Sequence, residues 1–451
     1  MIQPVRRELS AKAGQQMTGG HVLGGDMCFT RQKANRLGAT ITVTNAISMC
    51  IFVMAIGIPA SAAAQTDATS ERGDVRSEAR GHLGPFYLTP GVRLKELGVD
   101  SNVFNSAGEQ KSDFTFTVTP IVNVSVPMAR RALFTTTLAS DLVWYAHYET
   151  ERSVNPQVTA RGEVYLNRIT VFGETAQLST RQRPNYEIDV RSRRADDTVS
   201  TGVRVALTSK FSVEVAAHRD EIRYDSDAEF DATNLERTLN RDTRGVQLTA
   251  RHRLTPLTTL AVRAQVDEDR FIVSPSRNSD SYRVLPGVEF APQALLRGSA
   301  YLGYRKFTPV GQGVLQPFSG LVGELGLSYT LLGATAFGVS FRRDLTYSYS
   351  EFQPFFVDTA LGASIRRALG RRFDVLGSAD RHVYGYRGFL TAGLDDLQRV
   401  DITWNYAASV GYHLGRSGRV GFGASYIQRD STILWRAYDN LRFGTTFSYG
   451  L

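Results

Sequence analysis

The chain is poor in what holds many exported proteins together. Of its 451 residues only two are cysteine, Cys28 and Cys50, and both precede residue 65. If that leader is removed, no disulfide remains, and packing and backbone pairing alone must hold the fold. After residue 64 no apolar run approaches the roughly 20 residues of a membrane helix, and no long stretch keeps a 3.6-residue period. A bundle of membrane helices is therefore excluded. Lysine is scarce beside arginine, which reads either as planar forks facing acidic or sugar ligands or as arginine-rich codon usage. There is no Gly-x-Ser-x-Gly elbow, no His-Glu-x-x-His and no phosphate-binding Walker loop.

What is present begins with an export signal. Arg31, Lys33 and Arg36 precede the apolar stretch Ile47 to Ile58, which is followed by Pro59 and Ala60-Ser-Ala-Ala-Ala64. A basic region, a short apolar core and a small-residue site make a secretory signal peptide over residues 1–64. The region before Arg31 is long for such a signal, so Met17 or Met27 are alternative starts. Cys50 lies within the apolar core rather than after it, which disfavours a lipoprotein. The leader carries six basic residues (Arg6, Arg7, Lys12, Arg31, Lys33, Arg36) and two acidic ones (Glu8, Asp26), a net +4. Subtracted from the formal +8 of the whole chain, this leaves +4, mild for the length and unlike a nucleic-acid binder.

The remaining chain alternates with period two. Phe114, Phe116, Val118, Val122, Val124 and Val126 share a face opposite Thr115, Thr117, Thr119, Asn123 and Ser125. Val400, Ile402, Trp404, Tyr406, Val410, Tyr412 and Leu414 repeat the pattern, as do Phe337, Val339, Phe341, Leu345, Tyr347 and Tyr349. The pattern returns about every 21 residues and predicts about 18 strands, with 16 as the alternative even count. The strands are expected to start near Phe86, Asp113, Ala132, Val158, Ile169, Val199, Phe211, Arg244, Leu260, Tyr282, Arg297, Gly320, Ala336, Phe356, Phe373, Val400, Val420 and Leu441.

The connections alternate too. Short turns such as Asn167-Arg168, Ser209-Lys210, Thr255-Pro256 and Leu332-Gly333 are separated by longer polar links, among them 148–156, 181–197, 225–240 and 388–398. Short turns on one side and long loops on the other are the habit of an outer-membrane barrel, and an even strand number returns both termini to the same side. Aromatics near strand ends (Trp144, Tyr145, Tyr148, Tyr301, Tyr304, Tyr347, Tyr349, Tyr384, Tyr386, Tyr438, Phe443) suit the interfacial girdles, the alternative being ordinary core or loop aromatics. The expected fold is all-β: a closed antiparallel transmembrane β-barrel over 86–451, with short periplasmic turns and long extracellular loops, preceded by a short periplasmic segment at 65–85. The final strand then closes against the first, with Phe443, Phe447, Tyr449 and Leu451 toward lipid.

Two further stretches carry a family resemblance. Gly91-Val-Arg-Leu-Lys-Glu-Leu-Gly-Val-Asp-Ser-Asn-Val-Phe104 and Ser112-Asp-Phe-Thr-Phe-Thr-Val-Thr-Pro120 resemble the start of the outer-membrane β-barrel porins associated with exopolysaccharide clusters. In these a first strand leads into an Asp-x-Asn-Val-aromatic loop and a second strand carries a proline. The resemblance implies an outer-membrane location in a Gram-negative bacterium and a role in polysaccharide export. Leu451 departs from the Phe or Trp with which such barrels usually end.

Inside such a barrel the inward positions include Arg161, Glu163, Arg204, Glu214, Arg251, Arg263, Arg283, Glu289, Glu324, Arg342, Asp344 and Arg366. Facing cations and carboxylates would set a transverse field that sorts solutes, or would simply satisfy one another. His218 with Asp220, and Asp380 with His382, lie two residues apart on a common strand face, the one hint of hydrolytic chemistry. The acidic loop Asp225 to Asp231 has oxygen ligands that suit calcium or plain solvation. The sequence thus predicts a non-enzymatic channel for polysaccharide or other polar solutes, without cofactor or metal. Its partners are outer-membrane lipid and lipopolysaccharide, the barrel-insertion machinery and polysaccharide, and not nucleic acid. A closed structural or adhesive barrel is the rival, and an outer-membrane hydrolase ranks last.

Overall fold

The computed structural model describes residues 79–128, 131–311, 315–388, 399–415 and 417–450. The signal-peptide region, most of the 65–85 segment and Leu451 lie outside them. Eighteen long strands form the wall. The first nine are β1 (Phe86–Asp100), β2 (Asp113–Met128), β3 (Ala132–Tyr145), β4 (Ser153–Leu166), β5 (Ile169–Thr180), β6 (Arg194–Ala206), β7 (Phe211–Tyr224), β8 (Arg241–Thr255) and β9 (Thr258–Phe271). The second nine are β10 (Ser279–Phe290), β11 (Leu296–Pro309), β12 (Phe318–Leu331), β13 (Thr335–Tyr347), β14 (Phe355–Leu369), β15 (Phe373–Arg387), β16 (Val400–Leu414), β17 (Gly418–Ser431) and β18 (Tyr438–Tyr449). A three-residue strand, Gly81–Leu83, folds back on the start of β1.

Each strand pairs antiparallel with the next, and β18 returns to β1. At that seam Arg93 faces Ser448, Leu94 faces Phe447 and Asp100 faces Arg442, with an irregularity between Leu94 and Leu97. Closure removes both edges, so no row of backbone donors is left open to lipid. Turns at one end are short because residues there accept a left-handed backbone. Asn167 (φ 53°) and Gly333 (φ 67°) reverse the chain within two or three residues.

Period-two alternation divides the wall into two surfaces. Leu142, Val154, Val203, Val215, Leu260, Val262, Leu321, Leu361, Val410, Phe422, Phe443 and Tyr449 stand exposed on the outside. Leu321 is 62% exposed and Phe422 59%. A continuous apolar belt of this kind is stable only against hydrocarbon. Among the described residues no helix is long and apolar enough to cross a membrane.

Strand starts lie within three residues of those expected from the alternation, except in β4 and β6. β4 and β6 begin at Ser153 and Arg194, five residues before Val158 and Val199: in β4 the outward Val154 and Pro156 continue the alternation through a proline, and in β6 the charged run Arg194-Ala-Asp-Asp197 extends the ladder. The aromatic girdle needs a larger correction. Tyr145, Tyr301, Tyr347, Tyr349, Tyr384, Tyr386 and Tyr438 are buried inside the wall, while Tyr304 and Phe443 stand outside. Proximity to a strand end does not say which face a ring takes. Leu345 and Tyr347 carry the apolar alternation of Phe337 and Val339, yet they pack inside, in a core at the loop end.

Placing Arg at Val262, on the outer face midway along β9, should cost about 2–4 kcal/mol of barrel stability. Denaturant titration of the protein refolded into bilayers measures it, and Val262→Leu is the control expected to stay near wild type.

Candidate functional site

The inner face of β4–β13 carries most of the charge. Arg161 pairs with Glu163 on its own strand and with Glu174 on β5. Arg204 donates Nε to Glu214 at 2.8 Å, and Arg251 joins Glu214 at 3.2 Å to Glu289 at 3.3 Å. The Tyr301 hydroxyl also donates to Glu289, and Arg263 lies 3.8 Å above the Tyr301 ring while pairing with Glu324. Arg283 and Arg305 both hold Asp344, at 3.0 and 2.7 Å. Several of these partners sit two or three strands apart: Arg251 on β8 with Glu289 on β10, Arg263 on β9 with Glu324 on β12, Arg283 on β10 with Asp344 on β13. Strands stand about 4.8 Å apart, so such tips meet only where the wall is concave. Arg342 and Arg366 are exposed, and neither forms an ion pair among the described residues.

Midway along its strands the opposite inner face, β13–β17, carries short side chains at the inward positions. Gly338 and Ser340 face Ser364 and Gly362, Ser364 faces Ser378, and Ser409 faces Gly423. The two halves of the wall therefore differ: a ladder of guanidiniums and carboxylates on one side, and on the other a middle band of serine, glycine and alanine between ion pairs at the strand ends, Asp374 with Arg419 at the turn end and Asp358 with His382 at the loop end.

The loop end is partly filled. Residues 181–193, the link between β5 and β6, reach across to strands half the circumference away. The Tyr186 ring meets His382 of β15 edge-on, with centroids 5.1 Å apart. Glu187 is fully buried and its Oε1 accepts the Ser348 hydroxyl at 2.5 Å, while Arg436 donates to the Glu187 carbonyl oxygen. Asp189 accepts Arg429 at 3.0 Å and Asn105 at 3.2 Å, and Arg183 and Arg191 both donate to the Val103 carbonyl. Below them Ile188 joins Tyr224, Leu235, Leu239, Phe271, Phe307, Tyr347 and Phe355 in an apolar core. A one-turn helix, α1 (Leu235–Leu239), contributes two of these; the Asn234 side chain caps it by accepting the Arg237 N–H. Arg429 also reaches Asp401, which accepts Arg399, Ser431 and Tyr386 as well.

Sequence reasoning named none of Glu174, Arg305, Glu187, Asp189, Asp401 or Arg429 as site residues. Asp401 stood in the polar register of β16 and was legible there. Glu187 and Asp189 sit in a link without periodicity, where no local signal separates an inward loop from a solvated one. The histidines correct the i, i+2 expectation. His218 pairs with Asp267 at 3.1 Å and His382 with Asp358 at 3.3 Å, whereas Asp220 accepts Thr198. His218 on β7 reaches Asp267 on β9 over Gly245. A Cβ at Gly245 would lie 2.4 Å from the imidazole and 2.3 Å from the carboxylate. In the acidic loop Asp231 accepts the Tyr349 hydroxyl at 2.9 Å. Among the described residues no group of three or more His, Cys, Asp or Glu could hold a metal ion.

Burial holds the Glu187 carboxyl above its ordinary 4.5, against the Ser348 hydroxyl and Arg399, Arg436 and Arg429, which pull it down. A seated loop thus keeps a proton that a released loop gives up. This contribution to seating is complete below about 4.5 and is lost as pH rises through the raised value. A spin label at Pro184→Cys should accordingly become more mobile with rising pH in that window. In Glu187→Gln the response should vanish, and a response that persisted would contradict the assignment.

Against known proteins, a family model described as "Putative beta-barrel porin 2" matches residues 78–448. No curated protein matches the chain at a significant level. Among solved structures, a BenF-like porin from Pseudomonas fluorescens Pf-5 is similar at 11% identity and a TM-score of 0.46, covering 82% of this chain and 99% of that one. OccK2 (OpdF) of Pseudomonas aeruginosa is similar at 11% identity and 0.45, covering 82% and 98%. A bacterial polysaccharide outer membrane secretin is similar at 8% and 0.33, covering 80% and 97%. The family match spans nearly the whole barrel, and the chain belongs to this family of outer-membrane β-barrel porins.

Proposed function

We infer that the barrel is a diffusion channel for polar solutes with a preference for anions, and that acidic sugars, up to a single extended polysaccharide strand, fall within its solute class. The observation that carries this reading is the uneven inner wall. Paired arginines and carboxylates on β4–β13 set a field across the lumen, and short side chains midway along β13–β17 leave the facing side open at that level. Arg161, Glu163, Arg204, Glu214, Arg251, Arg263, Arg283, Glu289, Glu324 and Asp344 act as the ladder. Arg342 and Arg366 form no ion pair among the described residues, although Glu324 stands opposite Arg342 on the ladder and Asp374 lies near Arg366, and they supply the net attraction for anions. Planar guanidiniums suit the carboxylates of uronic acids. Export of polysaccharide, in keeping with exopolysaccharide-cluster porins, is the most specific form of the reading.

One observation favours the rival. The 181–193 link lies across the loop end over an apolar core, as a closed structural barrel would have it. Planar bilayers separate the two. A channel gives discrete current steps with anion preference, Arg342→Glu with Arg366→Glu shifts the reversal potential toward cations, and uronic-acid oligosaccharides interrupt the current more than neutral ones of equal length. A silent barrel, folded and inserted, supports the closed form.

A further inference from the structure

We propose that the outer wall carries a lipopolysaccharide site, formed where β2, β3 and β4 meet the ends of the 146–152 and 181–193 links. A groove of about 660 Å³ opens there on the lipid-facing side. Its floor is apolar: Phe116 and Val118 of β2, Leu142 and Trp144 of β3, and Val154 of β4. All five are outward residues in the strand alternation, and Phe116 stacks on Trp144 with centroids 5.1 Å apart. Its rim is basic and consists of Arg152, Arg181 and Arg193.

Position and chemistry select the occupant. The rim lies at the loop end, where the apolar belt gives way to polar side chains, so an acyl chain on the floor would bring its headgroup to the arginines. Arg152 lies 4.9 Å above the Trp144 ring and donates to the carbonyls of Tyr145 and Ala146, which fixes its guanidinium at the edge of the groove. The Arg181 guanidinium donates to the carbonyls of Arg191 and Thr150 and, among the described residues, forms no ion pair. Two acids compete: Glu149 pairs with Arg152 at 3.0 Å and Asp225 lies 3.8 Å from Arg193, but both are more than half exposed. Three cations against two solvated acids leave an excess positive charge above apolar surface. Elsewhere on the same rim arginines are matched: Asp242 and Glu221 together hold Arg219 and Arg223, and Asp280 holds Arg270. An acylated headgroup bearing phosphates fits the groove on both counts, since phosphate takes guanidinium forks in pairs. Of the outer-leaflet components, phosphorylated lipopolysaccharide has both parts. The site is independent of what crosses the lumen.

Trp144 reports on it directly. In a Trp404→Phe, Trp435→Phe background it is the single tryptophan left in the chain. Titrating that full-length protein in detergent micelles with purified lipopolysaccharide should give a saturable change in Trp144 emission. Arg181→Gln with Arg193→Gln should raise the midpoint at least tenfold, and dephosphorylated lipopolysaccharide should bind equally weakly to both proteins. Retained heat-modifiable mobility on gels shows that the double variant is folded. An unchanged midpoint in the folded variant, or equal binding of the dephosphorylated lipid by the unmodified site, would overturn the proposal. So would an equal response to phosphatidylethanolamine, which would mean bulk bilayer contact only.

Discussion

Everything in this molecule follows from the backbone hydrogen bond in a medium that offers no replacement for it. A strand in hydrocarbon must be paired on both sides, and only a closed ring of strands achieves that without an edge. The β18 to β1 seam is therefore the condition for the fold rather than a detail of it. Once the ring closes, side-chain alternation does the rest: Leu260 and Val262 must meet lipid if Arg263 is to face inward.

The same geometry explains how charge is concentrated along the inner wall. Curvature brings together the tips of side chains from strands that are not neighbours, so Arg251 reaches Glu289 and Arg283 reaches Asp344. Each bond stiffens the ring across several ladders at once. At the loop end the wall is capped from inside by the 181–193 link and α1, whose apolar residues form the nearest thing here to a globular core. That core, its arginine tethers and the ladder below define the route any solute would take.

Much of this was legible in the sequence and some was not, for identifiable reasons. Strand number, turns and the closing strand follow from period two, because one face of every strand meets hydrocarbon and tolerates little else. β4 and β6 start earlier than the pattern suggests because Pro156 reads as a loop residue in β4 and the charged run 194–197 hides the start of β6. Tyr347, Tyr384 and Tyr386 suit a membrane interface or a core by pattern alone, and their rings fill the interior. An aromatic satisfies either surface, so local pattern cannot choose. The partners of His218 and His382 depend on cross-strand register, and Glu187 on a loop path with no period; both are set by tertiary contacts alone.

Closure can be tested at the seam itself. With Cys28 and Cys50 replaced, cysteines at Arg93 and Ser448, which face each other between β1 and β18, should oxidise to a disulfide in the membrane-inserted protein. A pair placed at Arg93 and Thr446, out of register, should not. Efficient cross-linking of the first pair alone is the predicted result. Absence of that cross-link in folded, membrane-inserted protein would contradict a closed barrel.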